Sequence, residues 1–245
     1  IGVSGDGDSA SIGMGQFAHV IRRNLNMIYI VMNNGCYGLT KGQDSATADP
    51  GSVGKAGHPT LFSAIDLAGL ALELGAGFVA RSFSGDKDQL VPLIKAGISH
   101  QGFALIDVLS PCVTFNNTTT STKSYTYVRD HMDATSIADY VPERDEITAS
   151  VAPGENKYIE MHDGSLIHLR SLAEGWDPTD RLSAINAIHK ANRKGEVLTG
   201  LLYVVSGQPE VHELLRTTHK PLNALTQEEV FPGVESLEEI NASFR

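Results

Sequence analysis

Cysteine is scarce: Cys36 and Cys112 are the only two in 245 residues. With no secretory leader in view, that number excludes a disulfide-built scaffold, and two buried thiols are the plain expectation. Long hydrophobic runs are absent, and none approaches the ~20 residues of a membrane span. A basic-then-apolar signal segment is also missing, so a cytoplasmic location is expected. Basic residues are in deficit, 19 against 29 acidic, and a net charge of −10 argues against a nucleic-acid partner. What is present is ordinary for a globular chain: 41% hydrophobic and 20% charged residues. The length fits one large domain or a domain with an appended lobe.

The charge is uneven. Residues 1–115 carry 7 Lys and Arg against 9 Asp and Glu, whereas residues 116–245 carry 12 against 20. The first part reads as the apolar, Gly-rich layer and the second as the more solvated one. The chain opens on Ile1, at what reads as the end of a strand, so a further segment upstream is expected.

Strand and helix alternate through residues 1–115. Ile1–Ser4 reads as a strand entering the turn Gly5-Asp6-Gly7-Asp8. Ser9 or Ser11 is placed to cap a following helix with Ile12, Phe17, Val20 and Ile21 as its apolar stripe. Met27–Met32 and Phe103–Leu109 are continuous apolar runs of strand length, which suits parallel strands buried on both faces. Phe78–Phe83 is a shorter strand. Helices are expected over about 62–74 and 86–100, with a long Gly-rich loop from Asn33 to about Thr60. The fold class is α/β, a mostly parallel sheet flanked by helices with a C-terminal extension. Residues 116–150 read as a polar connector. Residues 151–245 read as a hairpin around His162-Asp163-Gly164-Ser165, a helix over 181–194, a buried strand over 198–205 and an acidic tail, packed on the same domain.

In a parallel sheet, ligands sit outside the carboxyl ends of the strands. Gly5–Asp8, Asn33–Gln43 and Ser110–Cys112 all fall there. A Gly turn between strand and helix suits a phosphate. Two carboxylates in that turn, Asp6 and Asp8, would repel a pyrophosphate unless a cation lies between. Mg²⁺ takes hard oxygen ligands and bridges carboxylate to diphosphate. Asp6 offers a carboxylate and Asn34 an amide oxygen, one β-α-β unit apart. A Rossmann nucleotide fits less well, because the second strand ends in Asn33-Asn34 where the ribose asks for an acid.

Gly5-Asp6-Gly7 followed by Asn33-Asn34 resembles the thiamine diphosphate signature. The words Ser4-Gly5-Asp6-Gly7-Asp8, Arg22-Arg23-Asn24, Tyr37–Gln43 and Ser110–Asn116 resemble the beta subunit of 2-oxoacid:ferredoxin oxidoreductases, nearest the 2-oxoglutarate branch. Asp177–Arg181, Gly200–Tyr203 and Pro221-Leu222-Asn223 extend the likeness over most of the chain. The resemblance implies thiamine diphosphate, Mg²⁺ and a [4Fe–4S] cluster as cofactors. It implies Asp6, Asn34 and the main-chain carbonyl of Cys36 as Mg²⁺ ligands, and Gly5, Gly7 and Asp8 lining the diphosphate. Gly38, Leu39 and Thr40 would sit against the cofactor, with Lys41 at the substrate or coenzyme A end. Cys112 is expected as one cluster ligand, the other three cysteines lying upstream of Ile1. The implied reaction is oxidative decarboxylation of a 2-oxoacid with coenzyme A to acyl-CoA and CO₂, with electrons passing to ferredoxin. It is reversible as CO₂ fixation, and an alpha subunit is the obligate partner. Gln43-Asp44-Ser45-Ala46-Thr47 departs from the family's Ser-Pro-Thr wording by lacking the proline.

Two other readings stay open at this point. One is a non-oxidative thiamine diphosphate lyase or synthase, separable by iron content. The other is a non-catalytic assembly subunit, separable by a thiamine diphosphate titration.

Overall fold

The computed structural model describes residues 1–40, 42–53, 57–110, 123, 128, 132–134, 136–138, 156–160, 166–171, 177–231 and 233–244. Lys41 and Cys112 lie outside the described residues, as does most of the connector.

The four strands expected in the first half form one parallel layer. β1 (Gly2–Gly5), β2 (Met27–Asn33), β5 (Phe78–Phe83) and β6 (Phe103–Leu109) pair in the order β1-β2-β6-β5, every neighbour parallel. β3 (Cys36–Tyr37) and β4 (Gln43–Asp44) form a separate small hairpin inside the Gly-rich loop. The sheet continues beyond β5 into β11 (Val197–Val204), which is antiparallel, and then β7 (Met132–Ala134). β5 and β6 are buried along their whole length, which is why they read as runs rather than as alternating patterns.

Helices cover both faces. On one face, α1 (Met14–Arg22), α2 (Leu67–Leu74) and α4 (Arg181–Lys194) pack Phe17, Ile21, Leu72, Ala184 and Ile188 onto Val31, Leu105 and Leu202. On the other, α3 (Lys87–Ser99) packs Leu93 against Ile28, Ala80, Ile106 and Leu201. α4 and β11 thus complete the sheet and one of its layers, although they come late in sequence. The hairpin expected around 162–165 is present as β9 (Asn156–Glu160) against β10 (Leu166–Ser171), with β8 (Ser136–Ala138) on the far side of β10.

Local chemistry sets the helix boundaries. Asp66, Asp86 and Asp180 cap α2, α3 and α4 by accepting from Gly69, Gln89 and Leu182 backbone N–H at 2.9, 3.1 and 2.9 Å. Gly75 and Gly195 end α2 and α4 at φ +92° and +70°, a left-handed turn that favours glycine. The helix expected over 62–74 is therefore shorter: Asp66 starts it, and Leu61, Phe62 and Ile65 stay outside it, exposed. Neither Ser9 nor Ser11 caps the first helix. The Ser9 hydroxyl bonds the Gly5 carbonyl and Tyr29 Oη, both at 2.9 Å, and Ser11 Oγ accepts from Ala46 N–H at 3.2 Å. The first helical turn, Gly7–Ile12, is wound as a π-helix, with Gly13 N–H donating to the Asp8 carbonyl at 2.6 Å. That winding carries Ile12 out to solvent instead of into the stripe.

The contacts divide the chain at Val211, and His212–Arg245 forms a second unit. The described helical stretches there are α5 (Val211–Leu214), which begins at the division, a 3₁₀ turn over Leu222–Ala224, α6 (Gln227–Val230) and α7 (Gly233–Ser243). Thr226 and Glu229 form a reciprocal capping box on α6. No described helix is long and apolar enough to cross a membrane.

Candidate functional site

β1 and β2 run parallel in register, Gly5 opposite Met32, so the residues that follow each strand leave from the same sheet edge. Asp6 comes off β1 and is 1% exposed. Its Oδ1 accepts from Asn34 N–H at 3.2 Å, which joins the two predicted ligands directly. Asn34 Oδ1 in turn accepts from Cys36 N–H at 3.0 Å. One carboxylate, one amide oxygen and the Cys36 main chain therefore meet within two hydrogen bonds.

The other Asp6 oxygen is held by residues the sequence reading did not single out. Ser45 Oγ donates to Asp6 Oδ2, and Thr47 Oγ1 lies 2.6 Å from the same oxygen. Every hydrogen bond to Asp6 comes from a neutral donor, and none of the ion pairs among the described residues includes it. A buried carboxylate held this way keeps its charge uncompensated, which is costly unless a cation shares it. This donor set, all hard oxygens, fits Mg²⁺ or a similar divalent ion. No cluster of three or more His, Cys, Asp or Glu suited to a metal occurs among the described residues.

Gly7 is required by its neighbour. A Cβ there would stand 2.4 Å from the Tyr37 ring, whose hydroxyl donates to the Gly7 carbonyl at 3.1 Å. Gly5 and Gly38 leave space instead: a Cβ on Gly5 meets nothing nearer than 3.8 Å, and one on Gly38 meets nothing within 4 Å. Asp8 is exposed. Gly38, Leu39 and Thr40 form the tip of the β3–β4 hairpin, all exposed, with Leu39 at 100%. The Thr40 hydroxyl turns to Gln43 Oε1 at 2.5 Å.

Beneath the site the polar contacts continue into the sheet. Ser110 N–H bonds the Asn33 carbonyl at 2.8 Å, tying the ends of β2 and β6 together. Asn33 Nδ2 donates to Asp107 Oδ1 at 3.0 Å, and Arg81 Nε donates to Asp107 Oδ2 at 2.9 Å. Arg81 also reaches Asp66 Oδ1 at 2.5 Å, and Asn192 donates to Asp66 Oδ2 at 3.0 Å. Burial pushes the Asp66 carboxyl up, but Arg81 and the donors around it outweigh that and bring it down to about 2. The signal for this network was in the sequence: Arg81 and Asp107 are opposite charges inside two buried apolar runs, and they are register partners.

The loop over the site is anchored. Lys123 Nζ pairs with Asp49 at 2.9 Å, and Thr60 donates to Asp44. Ile65 N–H bonds the Ala46 carbonyl at 2.8 Å. Ile12 on the π turn, Leu39 at the hairpin tip and Leu61 and Phe62 ahead of α2 stand exposed. The Cys36 side chain is buried.

Residues 1–108 match the family described as thiamine pyrophosphate enzyme, C-terminal TPP binding domain. A 2-oxoacid:ferredoxin oxidoreductase subunit beta from a Sulfolobus species is 46% identical over 117 residues, 47% of this chain and 38% of that protein. The 2-oxoglutarate synthase subunit KorB of Methanocaldococcus jannaschii is 42% identical over 113 residues, 46% of this chain and 42% of that protein. The matched part thus spans less than half the length of either relative. Among solved structures, a 2-oxoglutarate:ferredoxin oxidoreductase from Magnetococcus marinus, with 2-oxoglutarate, coenzyme A and succinyl-CoA bound, superposes with a TM-score of 0.67. Its sequence is 27% identical, and the superposition covers 97% of this chain and 67% of that one. Residues 1–108 thus match a thiamine pyrophosphate-binding domain, and the chain is similar over about that stretch to 2-oxoacid:ferredoxin oxidoreductase beta subunits, with the Asp6–Asn34 pair at the ends of β1 and β2.

Proposed function

We propose that this chain is the thiamine diphosphate-binding beta subunit of a 2-oxoacid:ferredoxin oxidoreductase that prefers 2-oxoglutarate. The observation that carries the reading is the bond from Asn34 N–H to the buried, otherwise uncompensated Asp6 carboxylate, with the Asn34 amide oxygen held on Cys36 N–H. Asp6, Asn34 and the main-chain carbonyl of Cys36 would hold Mg²⁺. Gly5, Gly7 and Asp8 would line the diphosphate, and Gly38, Leu39 and Thr40 would lie against the cofactor. Bound thiamine diphosphate supplies a carbon nucleophile and an electron sink for decarboxylating a 2-oxoacid. The chain's own share is to fix the diphosphate end through a buried, preformed donor set and to present the hairpin tip toward the reacting end. Lys41 would attract the anionic 2-oxoacid or coenzyme A.

An alpha subunit is the proposed partner. The exposed Ile12, Leu39, Leu61 and Phe62 support it, because large apolar side chains left in water gain by being covered. Cys112 is proposed as one ligand of a [4Fe–4S] cluster that passes electrons to ferredoxin, with acyl-CoA and CO₂ as products and the reverse reaction fixing CO₂. The cytoplasm is the proposed location. Residues 1–115 are proposed as the cofactor-binding domain, 116–150 as a connector and 151–245 as a C-terminal extension.

The test uses the complex with its alpha partner. Coenzyme A-dependent reduction of ferredoxin or viologen is measured with 2-oxoglutarate and with pyruvate. A higher kcat/KM for 2-oxoglutarate is expected, together with iron that falls in Cys112→Ala while thiamine diphosphate still binds. A tenfold preference for pyruvate, about 1.4 kcal/mol in transition-state binding, would contradict the substrate. Turnover without iron or coenzyme A would favour a non-oxidative lyase.

A further inference from the structure

The atoms that would touch the cation rest on a second set of residues. Asp107 is 0% exposed, and its Oδ2 accepts from Arg81 Nε at 2.9 Å, so it is held as a charged acceptor. An acceptor-only carboxylate admits only a donor on its other oxygen. Asn33 must therefore turn Nδ2 toward Asp107 Oδ1, at 3.0 Å, which leaves Asn33 Oδ1 facing Thr47. Thr47 Oγ1 lies 2.9 Å from Asn33 Oδ1 and 2.6 Å from Asp6 Oδ2. A hydroxyl carries one proton and cannot donate to both.

We propose that Arg81, Asp107, Asn33 and Thr47 form a positioning relay beneath Asp6. In it the Thr47 proton goes to Asp6 while no cation is bound and turns to Asn33 when one is. The inference rests on the cation site proposed for Asp6 and Asn34 and names residues that act through that site rather than in it. Without a cation, Asp6 keeps the proton because it carries the charge. A bound divalent ion takes over that charge and releases the proton. Asn33 Oδ1, a buried acceptor on a 4% exposed residue, then gains its donor. The proton leaves a charged acceptor for a neutral one, so the exchange subtracts from cation affinity, and the relay steadies Asp6 while the site is empty without touching the cation. Arg81 fixes the direction of the relay, since without its charge Asp107 would not force the orientation of Asn33.

The test titrates Mg²⁺ calorimetrically into the full chain assembled with its alpha partner, in saturating thiamine diphosphate. Thr47→Val fills the same space without a hydroxyl, so a purely packing role would leave its affinity unchanged. The expected result is that Thr47→Val tightens Mg²⁺ binding about threefold to tenfold, because the variant loses a charge-assisted bond without the cation and only a neutral one with it. Thr47→Ser, which keeps the proton, should stay within about twofold of wild type. If Thr47→Val does not fold, Thr47→Ala carries the same expectation. Equal or weaker affinity in the Val or Ala variant, or a Ser variant that binds as tightly as either, overturns the relay while leaving the cofactor reading intact. Failure of the wild type to bind Mg²⁺ with thiamine diphosphate overturns both.

Discussion

The floor and the rim of the site are built differently. Asp6, Asn33, Ser45 and Thr47 are buried and bonded to one another, and the network runs through Asp107 and Arg81 to Asp66 on α2. Gly38, Leu39 and Thr40 are exposed, and the only side-chain bond described among them runs from Thr40 to Gln43. The floor is thus completed by this chain alone. The rim has apolar side chains in water and gains by being covered. On the proposed function, binding of the diphosphate end would be the work of this chain, and enclosure of the reacting end would be shared with its partner.

The largest effect is expected where the floor is cut. Arg81→Met leaves Asp66 and Asp107 facing a lost cation, and breaking a buried pair from one side costs about 3–5 kcal/mol. Chemical denaturation should show that loss; a change under about 1 kcal/mol would mean that the network contributes little to the fold. The second expectation concerns acid. The folded Asp66 carboxyl sits near 2, below its ordinary 3.8, so its contribution is complete above about pH 4 and is lost as pH falls toward 2. That contribution is about 2 kcal/mol. Asp66→Asn should flatten the stability profile in this window, and an unchanged acid limb would show that Asp66 is not responsible. The smallest effect on the isolated chain belongs to the rim. Leu39→Ser should change stability by less than about 0.5 kcal/mol, as surface substitutions do. It should nevertheless weaken assembly with the alpha partner, read by sedimentation. Unaltered assembly would remove Leu39 from the proposed interface.

Different physics explains what the sequence made legible. The continuous apolar runs 27–32 and 103–109 announced buried parallel strands, and the strands formed there as β2 and β6. The Asp6 and Asn34 pairing was legible because strand ends one β-α-β unit apart meet by topology alone. Ser45 and Thr47 were not legible as partners of Asp6, because that contact depends on how the Gly-rich loop folds back. Leu61, Phe62 and Ile65 read as helix because they are apolar, yet Asp66 captures the cap and leaves them outside. Ile12 was misplaced for a related reason: a π turn shifts its direction, and hydrophobic periodicity assumes 3.6 residues per turn. Arg81 and Asp107 were passed over inside apolar strands, where two opposite charges in register signalled a buried pair.

Thiamine diphosphate binding as a function of Mg²⁺, followed by calorimetry on the assembled complex, tests the central claim most directly. Wild type should bind the cofactor only with a divalent cation. Asp6→Asn, which keeps shape and removes charge, should weaken that binding by about 100-fold or more, beyond the 10–100-fold that supporting residues carry. Asn34→Ala should weaken it in the same direction. Cofactor binding that ignores Mg²⁺, or that is unchanged in both variants, would contradict the assignment of Asp6 and Asn34.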